Sequence, residues 1–355
     1  MVTLILLALL LIPCVLVGGV LALFWKARRP AILRWTAASY LLLVLLVLFG
    51  VGPYIMATMV AHAGTRPMDR AIKTTPADFK VPYEDVVFEA RDSVRLRGWF
   101  VPPTTRRIVI ICTHGLFRNR TELLDVIMPL ARDGYGTLLY DSRSHGASDK
   151  SIVSLGYYER NDVLGAVQYV LRRYQDSPDK LGIVLLGVSM GAVAVLEAAE
   201  ESKDYNAVIL DSPFSSLKET VVDHSWLFFK LPRYPFPNLF LFWFQRIAGF
   251  DDGRVDSFQA IRRIEPVPLL IIASEGDVRI RPTVARELYD AAGSSNKRIK
   301  IFGKDVPHGA AARIHPDEYY ALVKSFLADA FAEHARPSAS QAEPTSSSEA
   351  GSSPK

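Results

Sequence analysis

Cysteine is nearly absent from this chain. Cys14 and Cys112 are the two in 355 residues, too few for a disulfide framework or a cysteine-based zinc site. Both lie in apolar runs, so each reads as a buried thiol, and neither settles the redox compartment. A large excess of charge is missing too: 41 basic and 37 acidic residues leave a formal net charge of +4. Without a basic stripe that balance carries no nucleic-acid footprint, and no nucleic-acid partner is expected. The chain holds no His-Glu-x-x-His, no phosphate-binding Gly-x-x-x-x-Gly-Lys and no Rossmann glycine fingerprint, so neither metal nor cofactor is expected. It has no repeat at solenoid or propeller periods. Charged residues make up 22% against 50% hydrophobic, which excludes a disordered chain.

What is abundant is apolar sequence at the front. No charged residue occurs from Val2 to Trp25, nor from Trp35 to Ala61. At 1.5 Å per residue either run can cross a hydrocarbon core of roughly 30 Å. Between them Lys26, Arg28, Arg29 and Arg34 stand without an acid, and Trp25, Trp35 and Tyr54 mark the ends where aromatic rings prefer the interface. The pattern predicts a two-helix membrane anchor over residues 1–61, dispensable for chemistry. The rivals are buried core helices and one anchor behind a cleaved signal, although for the latter the first run lacks a basic n-region and exceeds the usual apolar length. The basic loop favours a cytoplasmic side for residues 26–34, which sends the rest of the chain to the outer face. Arg66, Arg70, Lys73 and Lys80 beyond the second run nearly balance it. Residues 62–77 read as a linker. From residue 335 onward no large apolar side chain appears, so the tail is expected to stay disordered.

Residues 78–334 alternate short β-branched runs with helical patterns. Strands are predicted at Val86–Phe88, Leu96–Val101, Arg107–Cys112, Thr137–Tyr140, Ile183–Leu186, Val208–Leu210, Leu269–Ala273 and Ile299–Phe302. The middle ones are nearly continuous apolar strings, the mark of strands buried on both faces. Helices are predicted at Thr121–Asp133, Tyr157–Tyr174, Met190–Glu201, Pro282–Ala292 and Pro316–Ala332. Regular alternation of this kind predicts an α/β doubly wound, mostly parallel sheet with helices on both faces.

The sharpest motif is Gly187-Val-Ser-Met-Gly191, between a predicted strand and a predicted helix. That is the context of a Gly-x-Ser-x-Gly nucleophile elbow, with the helix N-terminus turned toward the reacting centre. A serine hydroxyl needs a base, and the base needs an orienting acid. In this architecture they follow in the order serine, acid, histidine. His308, in the loop after the last strand, is the candidate base, ahead of His224, His315 and His334. Asp277, past the end of Leu269–Ala273, is the candidate acid, with Glu275 and Asp211 as rivals. Two amides must hold the oxyanion: those of Met190 and of Leu116, in the loop Thr113-His-Gly-Leu-Phe-Arg118. His114 is read as a structural loop residue. The glycosylation sequon Asn119-Arg-Thr121 falls in that same loop, where a glycan would obstruct the site, and is discounted.

With these residues in place the chain resembles the α/β-hydrolase superfamily from about Val86 to Ala332. In particular it resembles a membrane-anchored serine hydrolase branch of serine aminopeptidase-like and lysophospholipase-like proteins. Leu96-Arg-Gly-Trp-Phe-Val-Pro102, Tyr140-Asp-Ser-Arg-Ser-His-Gly-Ala-Ser148 and Gly156-Tyr-Tyr-Glu-Arg-Asn-Asp162 are similar to that branch's motifs. The resemblance implies an eight-stranded α/β-hydrolase fold in which Asp141, Arg143 and His145 brace the site. Val306-Pro-His308 departs from it, since relatives carry glycine or alanine just before the histidine. The resemblance also places a lid at residues 212–265, where Trp226–Phe244 holds nine aromatics in 19 positions. Such density suits an apolar acyl pocket or bilayer contact, and Phe242 and Trp243 are expected to set chain-length preference. The expected activity is hydrolysis of a carboxylic ester with a small-molecule or lipid acyl group. Peptidase, thioesterase and acyltransferase chemistry are the alternatives, and a non-enzymatic scaffold or lipid-binding protein lies further off.

Overall fold

The computed structural model describes residue 19 and residues 29–177, 180–264 and 267–332. The first apolar run, residue 19 apart, and the tail from 335 lie outside the described residues, as does His334. Eight strands form one sheet: β1 (Glu84–Glu89), β2 (Arg95–Val101), β3 (Ile108–Thr113), β4 (Gly136–Asp141), β5 (Gly182–Val188), β6 (Ala207–Asp211), β7 (Leu269–Ser274) and β8 (Lys297–Phe302). Their order is β1-β2-β4-β3-β5-β6-β7-β8. β2 runs antiparallel to β1 and β4, and the remaining pairs are parallel. Every predicted strand lies within one of these eight or overlaps it.

The helices are α1 (Arg29–Leu46), α2 (Gly52–Ala61), α3 (Leu124–Arg132), α4 (Glu159–Arg173), α5 (Met190–Glu201), α6 (Leu217–Phe229), α7 (Phe236–Ala248), α8 (Ser257–Ile261), α9 (Pro282–Ala291), α10 (Ala311–Ile314) and α11 (Pro316–Ala330). The period-two alternation of each strand divides its side chains between two cores. In β3, Val109 and Ile111 face a core closed by α4, α5, α8 and α9. Ile108, Ile110 and Cys112 face the opposite core, closed by α3 and α11. Central strands are therefore buried at every position and mostly apolar. The edges differ: Val87 of β1 is exposed, and β8 carries Lys297, Arg298 and Lys300, charges that discourage pairing with another sheet.

The insertion between β6 and β7 contributes α6, α7 and α8, as a lid over the carboxyl end of the sheet. Here the structure changes one expected boundary. The helix Pro30–Ala61, 32 residues long and apolar enough to cross a membrane, passes from α1 through a π-helical stretch, Val47–Val51, into α2. α2 packs along α7, with Ala57 and Ala61 fully buried in one cluster with Phe240, Leu241 and Phe244. Alanines four residues apart leave a shallow face that lets the two helices approach closely. Tyr54 adds an edge-to-face contact with Trp243, 5.2 Å between ring centroids. The folded body thus begins at residue 52, not 78.

Residues 62–77 are correspondingly held rather than spanning free. Thr65 is buried, Val153 donates its amide to the Ala61 carbonyl at 2.8 Å, and Arg66 donates its amide to Phe117 O at 3.1 Å.

Candidate active site

Ser189 sits between β5 and α5 with φ 54° and ψ −116°, a backbone conformation that costs of order 1–3 kcal/mol for a residue with a Cβ. The flanking glycines make the turn possible. A Cβ on Gly187 would lie 2.3 Å from Gly191 O, and one on Gly191 would lie 2.2 Å from Thr113 O. No side chain fits at either position. The turn is pinned by the Ser189 amide, which donates to Asp211 O at 2.8 Å.

The structure brings Ser189, His308 and Asp277 together. His308 Nε2 lies 2.8 Å from Ser189 Oγ, and His308 Nδ1 lies 2.6 Å from Asp277 Oδ2. Asp277 is buried, and its other oxygen accepts the amides of Arg279 at 2.8 Å and Ile280 at 2.9 Å. A carboxylate only accepts, so Nδ1 carries the imidazole proton and Nε2 presents its lone pair to the serine hydroxyl. The proline before His308 does not prevent this geometry.

The rivals fall elsewhere. Glu275 points to solvent. His315 pairs with Asp305 at the surface, at 2.6 Å. Asp211 makes no hydrogen bond to His308: its Oδ1 accepts from Ser212 Oγ at 2.9 Å, and the buried Tyr319 hydroxyl stands beside its carboxyl group. Burial pushes Asp211 up to about 6. Ser212 Oγ in turn accepts the Gly309 amide at 3.2 Å, so Asp211 supports the histidine loop from below. His224, on α6, does reach the site, with Nε2 buried and unpartnered. Burial, then the neighbouring His308, pulls it down to about 4, which keeps it neutral.

In the loop after β3, three successive amides have different fates. Gly115 N donates to Glu122 Oε2 at 2.6 Å, and Phe117 N donates to His145 Nε2 at 3.2 Å. The amide of Leu116 between them donates to no group among the described residues, nor does that of Met190. The loop lies against the serine: a Cβ on Gly115 would touch Ser189 Cβ at 3.5 Å.

Two neutral histidines hold this loop. His114 donates from Nδ1 to Gly115 O at 2.8 Å and accepts the Ser142 amide at Nε2, at 3.0 Å. Burial drives it down to about 3. His145 donates from Nδ1 to Arg143 O at 2.8 Å, and burial lowers it as well. Beneath them Asp141 binds the Arg120 guanidinium at 2.8 Å and the amides of Arg120 and Ala147. Arg143 is clamped between Asp162, at 2.7 Å, and Asp92, at 2.8 Å. None of these groups contacts the serine; they set the path of the loop that does. Glu122 escaped the sequence reading. Half-buried, it accepts the Gly115 amide and lies beside Arg118, at 3.2 Å, and desolvation pushes it up to about 7.

Ser189 and His308 open into a cavity of about 400 Å³. Its apolar walls come from Phe214, from Phe228 and Phe229 of α6, from Phe236 and Phe240 of α7, and from Met56 and Val60 of α2. The aromatic insertion therefore lines the site, but through other residues than expected. Phe242 is exposed, and Trp243 packs on Tyr54, because the helical period turns both away from the wall that Phe236 and Phe240 form.

A mostly parallel sheet of this order, with a Gly-x-Ser-x-Gly turn leaving its fifth strand, defines an α/β-hydrolase. Comparison with known proteins gives the same class. Residues 104–249 match the family model described as serine aminopeptidase, S33. The uncharacterized protein YqkD of Bacillus subtilis is 30% identical over 235 residues, 65% of this chain and 75% of its own length. Protein bem46 of Schizosaccharomyces pombe is 24% identical over 307 residues, 84% of this chain and 94% of its own. Among solved structures, an esterase of Pyrococcus furiosus superposes with a TM-score of 0.61 at 25% identity, covering 75% of this chain and 98% of the esterase. The chain belongs to the α/β-hydrolase superfamily and is a hydrolase of the esterase/peptidase type.

Proposed function

We propose that this chain is a membrane-anchored serine hydrolase that cleaves carboxylic esters with an apolar acyl chain. The observation that carries the reading is the continuous hydrogen-bonded line Asp277–His308–Ser189 ending in a cavity walled by phenylalanines. In the first half-reaction Ser189 Oγ attacks the ester carbonyl while its proton passes to His308 Nε2. Asp277 holds the resulting imidazolium, and the unengaged amides of Leu116 and Met190 receive the oxyanion. Collapse breaks the bond to the leaving alkoxide, which takes the proton from His308 and departs as the alcohol. Water then repeats the sequence on the acyl-serine: His308 accepts its proton, the acid leaves, and Ser189 recovers its hydrogen.

An ester is favoured over an aminopeptidase substrate by what lines the cavity. An N-terminal ammonium group requires a free carboxylate, and among the described residues of the lining Glu122 is the one acid. It is already taken up by the Gly115 amide and Arg118. The name of the Pyrococcus furiosus esterase agrees with this choice.

Anchoring rests on the helix Pro30–Ala61. Once α2 is assigned to the folded body, residues 30–51 remain, about 33 Å at 1.5 Å per residue, which matches a hydrocarbon core of roughly 30 Å. Leu33, Leu41, Leu42, Leu45 and Leu46 are all exposed along that stretch. The basic residues at its N-terminal end support a catalytic body on the outer face, with the basic residues that follow Ala61 nearly offsetting them.

The test is labelling with a fluorophosphonate, together with kcat/KM for p-nitrophenyl esters of C2 to C12 acids. Ser189→Ala is expected to abolish labelling and to lower kcat by about a thousandfold or more. Wild type is expected to gain up to about fourfold in kcat/KM per added methylene until the cavity fills, from about 0.8 kcal/mol for each. A profile that falls steadily from C2, or a preference for charged aminoacyl amides, would contradict the ester reading and favour a peptidase.

A further inference from the structure

The geometry points to α2, the inner end of the apolar N-terminal helix, as a specificity element: Met56 and Val60 form the wall that limits the length of the bound acyl chain. This inference rests on the proposed ester hydrolase and names part of its substrate selection. Met56 and Val60 are four residues apart, so both project from one face of the helix, and that face lines the cavity that holds Ser189 and His308. The neighbouring stripe of the same helix, Ala57 and Ala61, is fully buried with Phe240 and Phe244 of α7. One helix thus uses one stripe to dock on the lid and the next to enclose substrate.

The wall is also held in register with the reacting atoms. Beyond the helix, Thr65 Oγ1 donates to Arg118 O at 2.8 Å and accepts the Gly146 amide at 2.7 Å. Arg66 N donates to Phe117 O at 3.1 Å. Phe117 and Arg118 directly follow Leu116, whose amide is the proposed oxyanion donor. The polypeptide that leaves the pocket wall is therefore tied within a few residues to the oxyanion loop. A cavity of about 400 Å³ is at the small end of ligand sites, roughly 300–1,000 Å³, and suits one acyl chain. Because the wall continues into the apolar stretch 35–51, a chain drawn from the bilayer would follow the helix into the pocket.

The experiment uses the full chain in lipid nanodiscs and alkyl fluorophosphonates of ethyl, octyl and dodecyl length, which react covalently at the elbow serine. Second-order labelling rates are compared as ratios, so partition into lipid and any general loss of active protein cancel between variants. Met56→Trp and Val60→Phe fill the wall, and the octyl-to-ethyl ratio is expected to fall about tenfold in each. Met56→Ala opens it, and the dodecyl-to-octyl ratio is expected to rise severalfold. Should a filling variant fail to fold, the alanine variant decides alone. Ratios within about twofold of wild type in every folded variant would overturn the assignment of the wall while leaving the serine hydrolase intact. No labelling of wild type at any length would overturn the proposed function and, with it, the wall.

Discussion

Asp277 and Asp211 both lie at the carboxyl ends of neighbouring strands, both are buried, and both approach the His308 loop. Their hydrogen bonds separate them. Asp277 receives His308 Nδ1 and two backbone amides, so it is the group that orients the imidazole. Asp211 receives the Ser212 hydroxyl and no imidazole, and burial raises it to about 6. Asp277→Asn is therefore expected to present the wrong imidazole tautomer and lower kcat by about four orders of magnitude. Asp211→Asn replaces a carboxyl group with an amide of nearly the same shape and is expected to cost less than about tenfold. Steady-state kinetics of the two variants on one soluble ester check this, and similar losses in both would remove the distinction. Ser189, His308 and Asp277 were legible in the sequence because each sits in a short local pattern after a recognisable strand. Glu122 was not. Its role depends on folding back onto the Gly115 amide, and nothing in Arg118-Asn-Arg-Thr-Glu122 announces that contact.

Among the elements, strands were read best. A central parallel strand must be apolar on both faces, and the runs in β3, β5 and β7 have no other reading of that length. The lid was located by its aromatic density, yet which aromatics face the substrate depends on where α7 begins and how it is rotated. Phe236 and Phe240 line the cavity; Phe242 and Trp243, named from the sequence, do not. The N-terminal helix misled for a related reason. Apolar side chains look the same whether lipid or protein covers them, and the alanines at positions 57 and 61 were the sole local sign of a protein partner. The consequence is testable by truncation. A chain starting at Met68 loses Met56, Val60, Thr65 and Arg66, and exposes the apolar face of α7. Compared with a chain starting at Arg29, it is expected to melt at lower temperature and to lose at least about tenfold in kcat/KM on an octanoyl ester. Equal activity of the two chains would return residues 52–67 to the role of a simple anchor and linker.

At the scale of the whole molecule, stability should depend on pH through buried carboxyls remote from the catalytic serine. Glu197 of α5 is buried with Oε1 unpartnered, and burial pushes it up to about 7 from an ordinary value of 4.5. Between those two values the folded chain holds a proton that the unfolded chain has released, so stability falls as pH rises across that window and levels off above it. Glu197→Gln removes the titration. Its stability advantage over wild type is expected to grow from pH 4.5 to about 7, by up to about 3 kcal/mol, and then stay constant. Denaturant titrations of both proteins at several pH values measure it, and an advantage independent of pH would show that Glu197 ionises freely in the fold.

The fold, the elbow and the cavity all converge on one covalent event at one atom. The most direct test is to quench wild-type turnover of p-nitrophenyl octanoate in acid and map the acylated peptide by mass spectrometry. An octanoyl group on Ser189, absent from Ser189→Ala, is the expected result. Turnover that persists in Ser189→Ala, or an acyl group carried by another residue, would contradict the account.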